Sequence, residues 1–188
     1  MNIKTTQAMC GLLSYLFQYP DPFWREQLPV CREEAQAFPD PEARRILSAF
    51  VQLAEETDDM QWQAGYVRAF DFGKRSNLYL TYAQHGDERE RGPALLELKR
   101  RYAAVGLELT GSELPDYLPL VLEFAAVAPW DAAEAVLAGR ARALQSIGRE
   151  LAEAASPYSA LIELLLRHVP NEPPAQALEP VMATRGGS

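Results

Sequence analysis

Prolines set the length of the segments this chain can fold into. Most of its 14 prolines fall between apolar repeats, and twice an aspartate comes immediately before one, at Asp21-Pro22 and Asp40-Pro41. That pair is a helix start: the carboxylate can cap the free N–H groups of the first turn, and a proline at the first helical position has no N–H to leave unpaired.

Between these marks apolar residues recur at helical spacing. Met9, Leu12, Leu13, Leu16 and Phe17 form one face, with Thr5 or Thr6 as N-cap and Pro20 as stop. Trp24, Leu28, Cys31, Ala35 and Phe38 form the next, which Pro29 should kink or shorten. Ile46, Leu47, Phe50, Val51 and Ala54 line the helix opened by Asp40-Pro41; Asp58 or Asp59 caps a fourth bearing Trp62, Tyr66, Val67 and Phe70. Residues 71–76 read as a loop. Asn77 to Tyr82 fits either a strand alternation or a helix; with helical neighbours and no strand partner in sight, a helix is expected, ended by His85-Gly86-Asp87. Leu95, Leu98, Tyr102 and Val105 make a further face closed by Gly106. Ser112 is expected to cap a helix carrying Leu114, Tyr117, Leu118, Val121, Leu122 and Ala125 on one side and Leu120, Phe124 and Val127 on another, hence a buried central helix. Ala-rich helices with Leu137, Leu144, Ile147 and Leu151 follow, and Ser156-Pro157 opens a last one through Leu161, Ile162, Leu165 and Val169. The expectation is an all-α fold, a single globular domain of about nine or ten short helices over residues 1–170, with a proline-rich disordered tail at 171–188.

Several function classes drop out. A net charge of -8 disfavours nucleic acid and anionic membranes as partners. No apolar run reaches the roughly 18 residues of a membrane span. Met9 to Phe17 is interrupted by Ser14 and runs into Gln18-Tyr19-Pro20 without a small-residue cleavage site, so it reads as an amphipathic helix rather than a signal peptide. Only two cysteines occur, Cys10 and Cys31, both on apolar faces, which fits a reducing, cytoplasmic setting. His85 and His168 lack partners at metal-ligand spacing, and there is neither a phosphate-binding glycine loop nor a G-x-S-x-G elbow. No catalytic residue, metal ligand or cofactor is expected.

Two segments carry the remaining information. Residues 66–106 hold eight basic and five acidic residues in an otherwise acidic chain, among them Arg89 and Lys99, interleaved with Tyr66, Phe70, Tyr79, Tyr82 and Tyr102. Such a mixture is either an interface or a solvated face laced with ion pairs. The second segment is Ser112-Glu113-Leu114-Pro115-Asp116-Tyr117-Leu118-Pro119. On a helix, Glu113, Asp116 and Glu123 would share a stripe. The first two suit a first turn. Glu123, among Leu122, Phe124 and Ala125, must either pair with an arginine of the chain or await a cationic guest, because buried unpaired charge is costly.

The run Tyr66-Val67-Arg68-Ala69-Phe70-Asp71-Phe72-Gly73-Lys74 with Leu78-Tyr79-Leu80-Thr81-Tyr82 resembles the NarJ-type nitrate reductase delta subunits. So do Gly86-Asp87-Glu88-Arg89-Glu90-Arg91-Gly92 with Leu95 to Lys99, and Glu113 to Pro119 with Leu122-Glu123-Phe124. These belong with the TorD and DmsD redox-enzyme maturation chaperones, whose wider motif is Glu-x-Pro-Asp-His; Tyr117 stands at the histidine position, as in the NarJ branch. The resemblance covers about residues 5–170. It implies an all-helical cytoplasmic chaperone, not an enzyme and not membrane-embedded. It would bind the N-terminal segment of the nitrate reductase alpha subunit until the molybdenum cofactor is inserted, and would delay membrane attachment. It implies peptide contact at Glu113, Asp116 and Tyr117. Two alternatives stay open: a client from a selenate, chlorate or dimethyl sulfide-oxidising system, and a nucleotide-binding module or enzyme on the same fold. Monomer and helix-swapped dimer are both compatible with the short loops. The expected site is a cleft between the central helix and the Tyr66–Tyr102 region, where an amphipathic guest helix would lie.

Overall fold

Where aspartate precedes proline, the chain does start a helix. In the computed structural model, which describes residues 2–71, 77–85 and 91–169, Asp21 caps α2 (Pro22–Glu26) by accepting from Trp24 N–H. Asp40 caps α4 (Pro41–Glu56) by accepting from the N–H groups of Glu42 and Ala43 at 2.8 Å each. Asp58 does the same for α5 (Asp59–Phe70). Pro29 divides the second amphipathic run: α3 (Leu28–Gln36) begins afresh after Gln27, with the proline in its first turn. The first helix, α1 (Ile3–Leu16), starts earlier than Thr5 or Thr6 as cap would allow. Its cap is Asn2, whose side chain accepts from Thr5 N–H at 2.9 Å.

The Asp40 cap is also a pH sensor of the fold. The Ala43 N–H above all holds its carboxyl below the usual range. A carboxyl depressed in the folded state adds stability above its unfolded pKa and loses it as pH falls through the folded value. The melting-temperature gap between the wild type and Asp40→Ala should therefore be constant above about pH 5 and shrink below about pH 4. Thermal melts across that range measure it.

The remaining helices are α6 (Leu80–His85), α7 (Arg91–Ala104), α8 (Leu118–Val127), α9 (Trp130–Ala138), α10 (Ala141–Glu153) and α11 (Tyr158–Leu166). The fold is all-α; among the described residues the only extended pairing is a single antiparallel bridge between Tyr79 and Tyr117. α8 packs along α1, α3 along α4, and α10 along α11. Gly11 of α1 faces Ala126 of α8, where a Cβ would make an ordinary contact at 3.6 Å. The core is knit by aromatic rings around Tyr158, which is 2% exposed: Phe17, Phe50, Trp62, Tyr66 and Phe70 have centroids between 4.9 and 5.9 Å from it. Cys10 and Cys31 are free and buried, and burial pushes their thiols up to about 12 and about 11.

Two elements differ from expectation. Residues 77–79 are not helical; Leu118 N–H donates to Leu78 O at 2.7 Å and Leu80 N–H to Asp116 O at 3.0 Å, so α6 begins only at Leu80. The central helix begins at Leu118 rather than after Ser112. Pro119 has no N–H to give the carbonyl of Pro115, and its ring would clash there, so a helix through both is interrupted. No described helix is long and apolar enough to cross a membrane. The loop expected at 71–76 beyond Asp71, and the tail at 171–188, lie outside the described residues.

Candidate peptide-binding cleft

Because α8 starts late, residues 107–117 form a strap that crosses from α7 to α8. Gly106, at φ +77°, turns the chain out of α7, and Leu107 N–H closes back on Tyr102 O at 3.0 Å. The strap is tied down along its length. The Tyr102 hydroxyl donates to Pro115 O at 2.7 Å, and the Tyr79 hydroxyl donates to Glu113 Oε2 at 2.8 Å. The rings of Tyr79 and Tyr117 lie 5.4 Å apart. Burial, first of all, holds the phenols of Tyr66, Tyr79, Tyr102 and Tyr117 above the ordinary tyrosine value, so they remain donors at neutral pH.

Asp116 lies inside this arrangement at 0% exposure. Its Oδ2 accepts from Thr81 N–H at 3.0 Å and from Thr81 Oγ1 at 2.5 Å. Thr81 Oγ1 in turn accepts from Arg91 Nε at 3.3 Å, and the Arg91 guanidinium lies 5.5 Å from the centre of the Tyr82 ring. A carboxylate thus fastens the strap to α6 and, through a threonine, to the start of α7. Asp116 is a clamp within the protein, and the stripe expected to unite it with Glu113 and Glu123 does not exist.

What the strap and α8 enclose is a cleft of about 270 Å³. Its walls are Tyr102, Leu107, Leu109, Leu120, Phe124 and the 66%-exposed Val127; around it stand Glu108, Glu113 and Glu123. All three acids are exposed, and none makes an ion pair among the described residues. Glu123, expected amid apolar neighbours, faces water because α8 turns this one side away from α1 and α9. Glu108 escaped the sequence reading, since nothing in a loop residue's spacing marks it.

The other expected contact residues are placed differently. Tyr66 and Phe70 belong to the aromatic core, 5% and 3% exposed, and Tyr66 donates to Phe17 O at 3.0 Å. Tyr102 lines the cleft and packs against Phe124, with ring centroids 4.4 Å apart and planes tilted by 35°. Tyr79 is half-buried beside the strap, Tyr117 is half-buried at its end and Tyr82 is half-buried on α6; Lys99 is exposed on α7, and Arg89 lies outside the described residues. The cleft is therefore bounded by α7, the strap and α8, without α5. A larger cleft of about 910 Å³ lies between α1 and α3, but its lining charges are one lysine and one glutamate, Lys4 and Glu34, and it contains none of the expected residues.

The described residues thus present an all-helical domain with an apolar cleft, and the acids at its edge make no ion pair among those residues. Comparison places it further. The sequence model of the nitrate reductase delta subunit family matches residues 36–169. A Bacillus subtilis (strain 168) protein named probable nitrate reductase molybdenum cofactor assembly chaperone NarJ is 37% identical over 91% of this chain and 93% of its own length. The Escherichia coli (strain K12) chaperones NarW and NarJ are 35% and 34% identical over 83% of this chain, covering 65% and 67% of their own lengths. The chain belongs to the nitrate reductase delta subunit family, and these three relatives are named as nitrate reductase molybdenum cofactor assembly chaperones.

Proposed function

We propose that this chain is a cytoplasmic assembly chaperone that holds the N-terminal segment of the apo catalytic subunit of a respiratory nitrate reductase while the molybdenum cofactor is inserted. The observation that carries the reading is the cleft between the strap and α8: apolar walls edged by Glu108, Glu113 and Glu123, with no cation of the described chain paired to them. At about 270 Å³ it admits one or two anchor side chains of an amphipathic guest helix. The acids orient basic residues on the guest's flanks, while the apolar walls supply contact area. By binding the immature conformation better than the mature one, the chaperone raises the population able to receive the cofactor.

Calorimetry with the client's N-terminal peptide tests this. Val127→Asp places a charge on the exposed apolar wall and should weaken binding about tenfold or more, the cost of one buried anchor side chain. Unchanged affinity in Val127→Asp, together with loss in Ala8→Trp, would move the site to the α1–α3 cleft. Peptides from selenate, chlorate and dimethyl sulfide-oxidising enzymes, run in parallel, identify the client; tighter binding of one of these would displace nitrate reductase from the proposal.

A further inference from the structure

On another side of the molecule, a pocket of about 280 Å³ lies between α5 and the α10–α11 turn. Its lining includes Trp62, Tyr66 and Tyr158 as aromatic walls and Arg68 as its only charged residue. Two buried polar atoms on its lining residues have no hydrogen-bond partner by distance and angle: Trp62 Nε1 and the Tyr158 hydroxyl, on residues 7% and 2% exposed. The two rings are neighbours, with centroids 5.9 Å apart and planes tilted by 44°, and the nearby indole N–H partly offsets the upward push of burial on the phenol's pKa. An indole can only donate, so even a bond between them would leave the Tyr158 O–H without an acceptor. Buried donors left unsatisfied are rare in folded proteins and call for an explanation.

The surroundings specify what is missing. The required group is an acceptor. Arg68 is exposed and makes no ion pair among the described residues, and no carboxylate lines the pocket. Ser156, Pro157 and Tyr158, where α11 begins, also line it, and a helix start favours negative charge. One cation, two neutral donors and aromatic walls match a single negative charge on an apolar body. We propose that this pocket is a recognition site for a carboxylate-bearing group, with its oxygens received by Tyr158 O–H and Trp62 Nε1–H and its charge met by Arg68. Both atoms are sealed from water, so a ligand reaches them only when side chains lining the pocket move, a fast rotamer change. The site is separate from the strap cleft and does not rest on the client reading. The carboxylate belongs either to a small free acid or to a peptide terminus.

The indole N–H signals of Trp24, Trp62 and Trp130 in the full chain read this directly, with Trp62 assigned by its proximity to Tyr158. Benzoate and an N-acetyl-Ala-Ala-Phe peptide with a free carboxylate are the probes; benzamide and the peptide amide are their neutral twins. A saturable downfield movement of the Trp62 signal with either acid, absent with its twin, is the expected result. Benzoate alone indicates a small acid, and the peptide alone a chain terminus. Arg68→Gln, at an exposed position, should weaken the response about tenfold, as for one lost hydrogen bond to a charged group. Tyr158→Phe should abolish it, because the hydroxyl donor to the carboxylate is gone. A Trp62 signal that neither acid moves, or that both twins move equally, overturns the proposal.

Discussion

Replacing Asp116 by alanine is expected to destabilise the protein by about 3 kcal/mol, the range for losing charged hydrogen bonds and stranding their buried donors. Thr81 is 0% exposed, and both its N–H and its hydroxyl point to Asp116 Oδ2. Water cannot replace the carboxylate without opening the strap. Arg140 adds to the loss: it is largely buried, desolvation lowers its pKa, and Tyr102 and Asp116 oppose that effect. For a chain of this size the melting temperature should fall by roughly 6–12 °C. Asp116→Asn, whose amide oxygen can still accept from Thr81 N–H, should lose much less. Thermal melts of the two variants, with client-peptide affinity measured on the folded fraction, separate a clamp from a contact. If Asp116 touched the guest directly, Asn would lose affinity at unchanged stability.

This clamp shows where the sequence was legible and where it was not. Signals that act within one turn were readable where an aspartate led the helix, though the cap of α1 proved to be Asn2 rather than Thr5 or Thr6. Asp21-Pro22, Asp40-Pro41 and Asp58 cap the helices they were expected to cap, because capping depends on residues two or three apart. Pro29 likewise starts a new helix. Signals that depend on distant partners were not. Tyr79 pairs with Tyr117 across 38 positions of chain, and no local pattern in Asn77 to Tyr82 announces that partner. The start of α8 was misplaced for a reason present in the sequence: Pro115 and Pro119 stand four apart, the one spacing at which a proline removes the hydrogen bond of another proline's carbonyl.

The candidate site divides along the same line. Glu113 and Glu123 were singled out by chemistry, and they stand at one cleft. The periodicity that linked them to Asp116 belonged to a helix that is not there. Tyr66 and Phe70 were chosen for aromatic content, yet aromatic residues at i and i+4 on a helix make cores as readily as interfaces, and here they pack against Phe17 and Tyr158. Burial decides between those uses, and composition does not report it.

The second large effect belongs to the acids themselves. Glu113→Lys with Glu123→Lys should weaken binding of a basic client peptide about 100-fold. Each exposed pair contributes up to about 1 kcal/mol, reversal turns attraction into repulsion at both positions, and tenfold corresponds to about 1.4 kcal/mol. Stability should scarcely change, because both side chains are exposed and the only described tie lost is the Tyr79 hydroxyl bond to Glu113. The salt dependence distinguishes charge from shape: the screening length falls from about 10 Å at 0.1 M to about 3 Å at 1 M, so the gap between wild type and variant should narrow at high salt. Val127→Asp, which damages the apolar wall, should stay weak at both concentrations. Equal affinity of the double reversal and the wild type at low salt would leave the cleft without its electrostatic role, and the guest's basic residues would have to be met elsewhere on the chain.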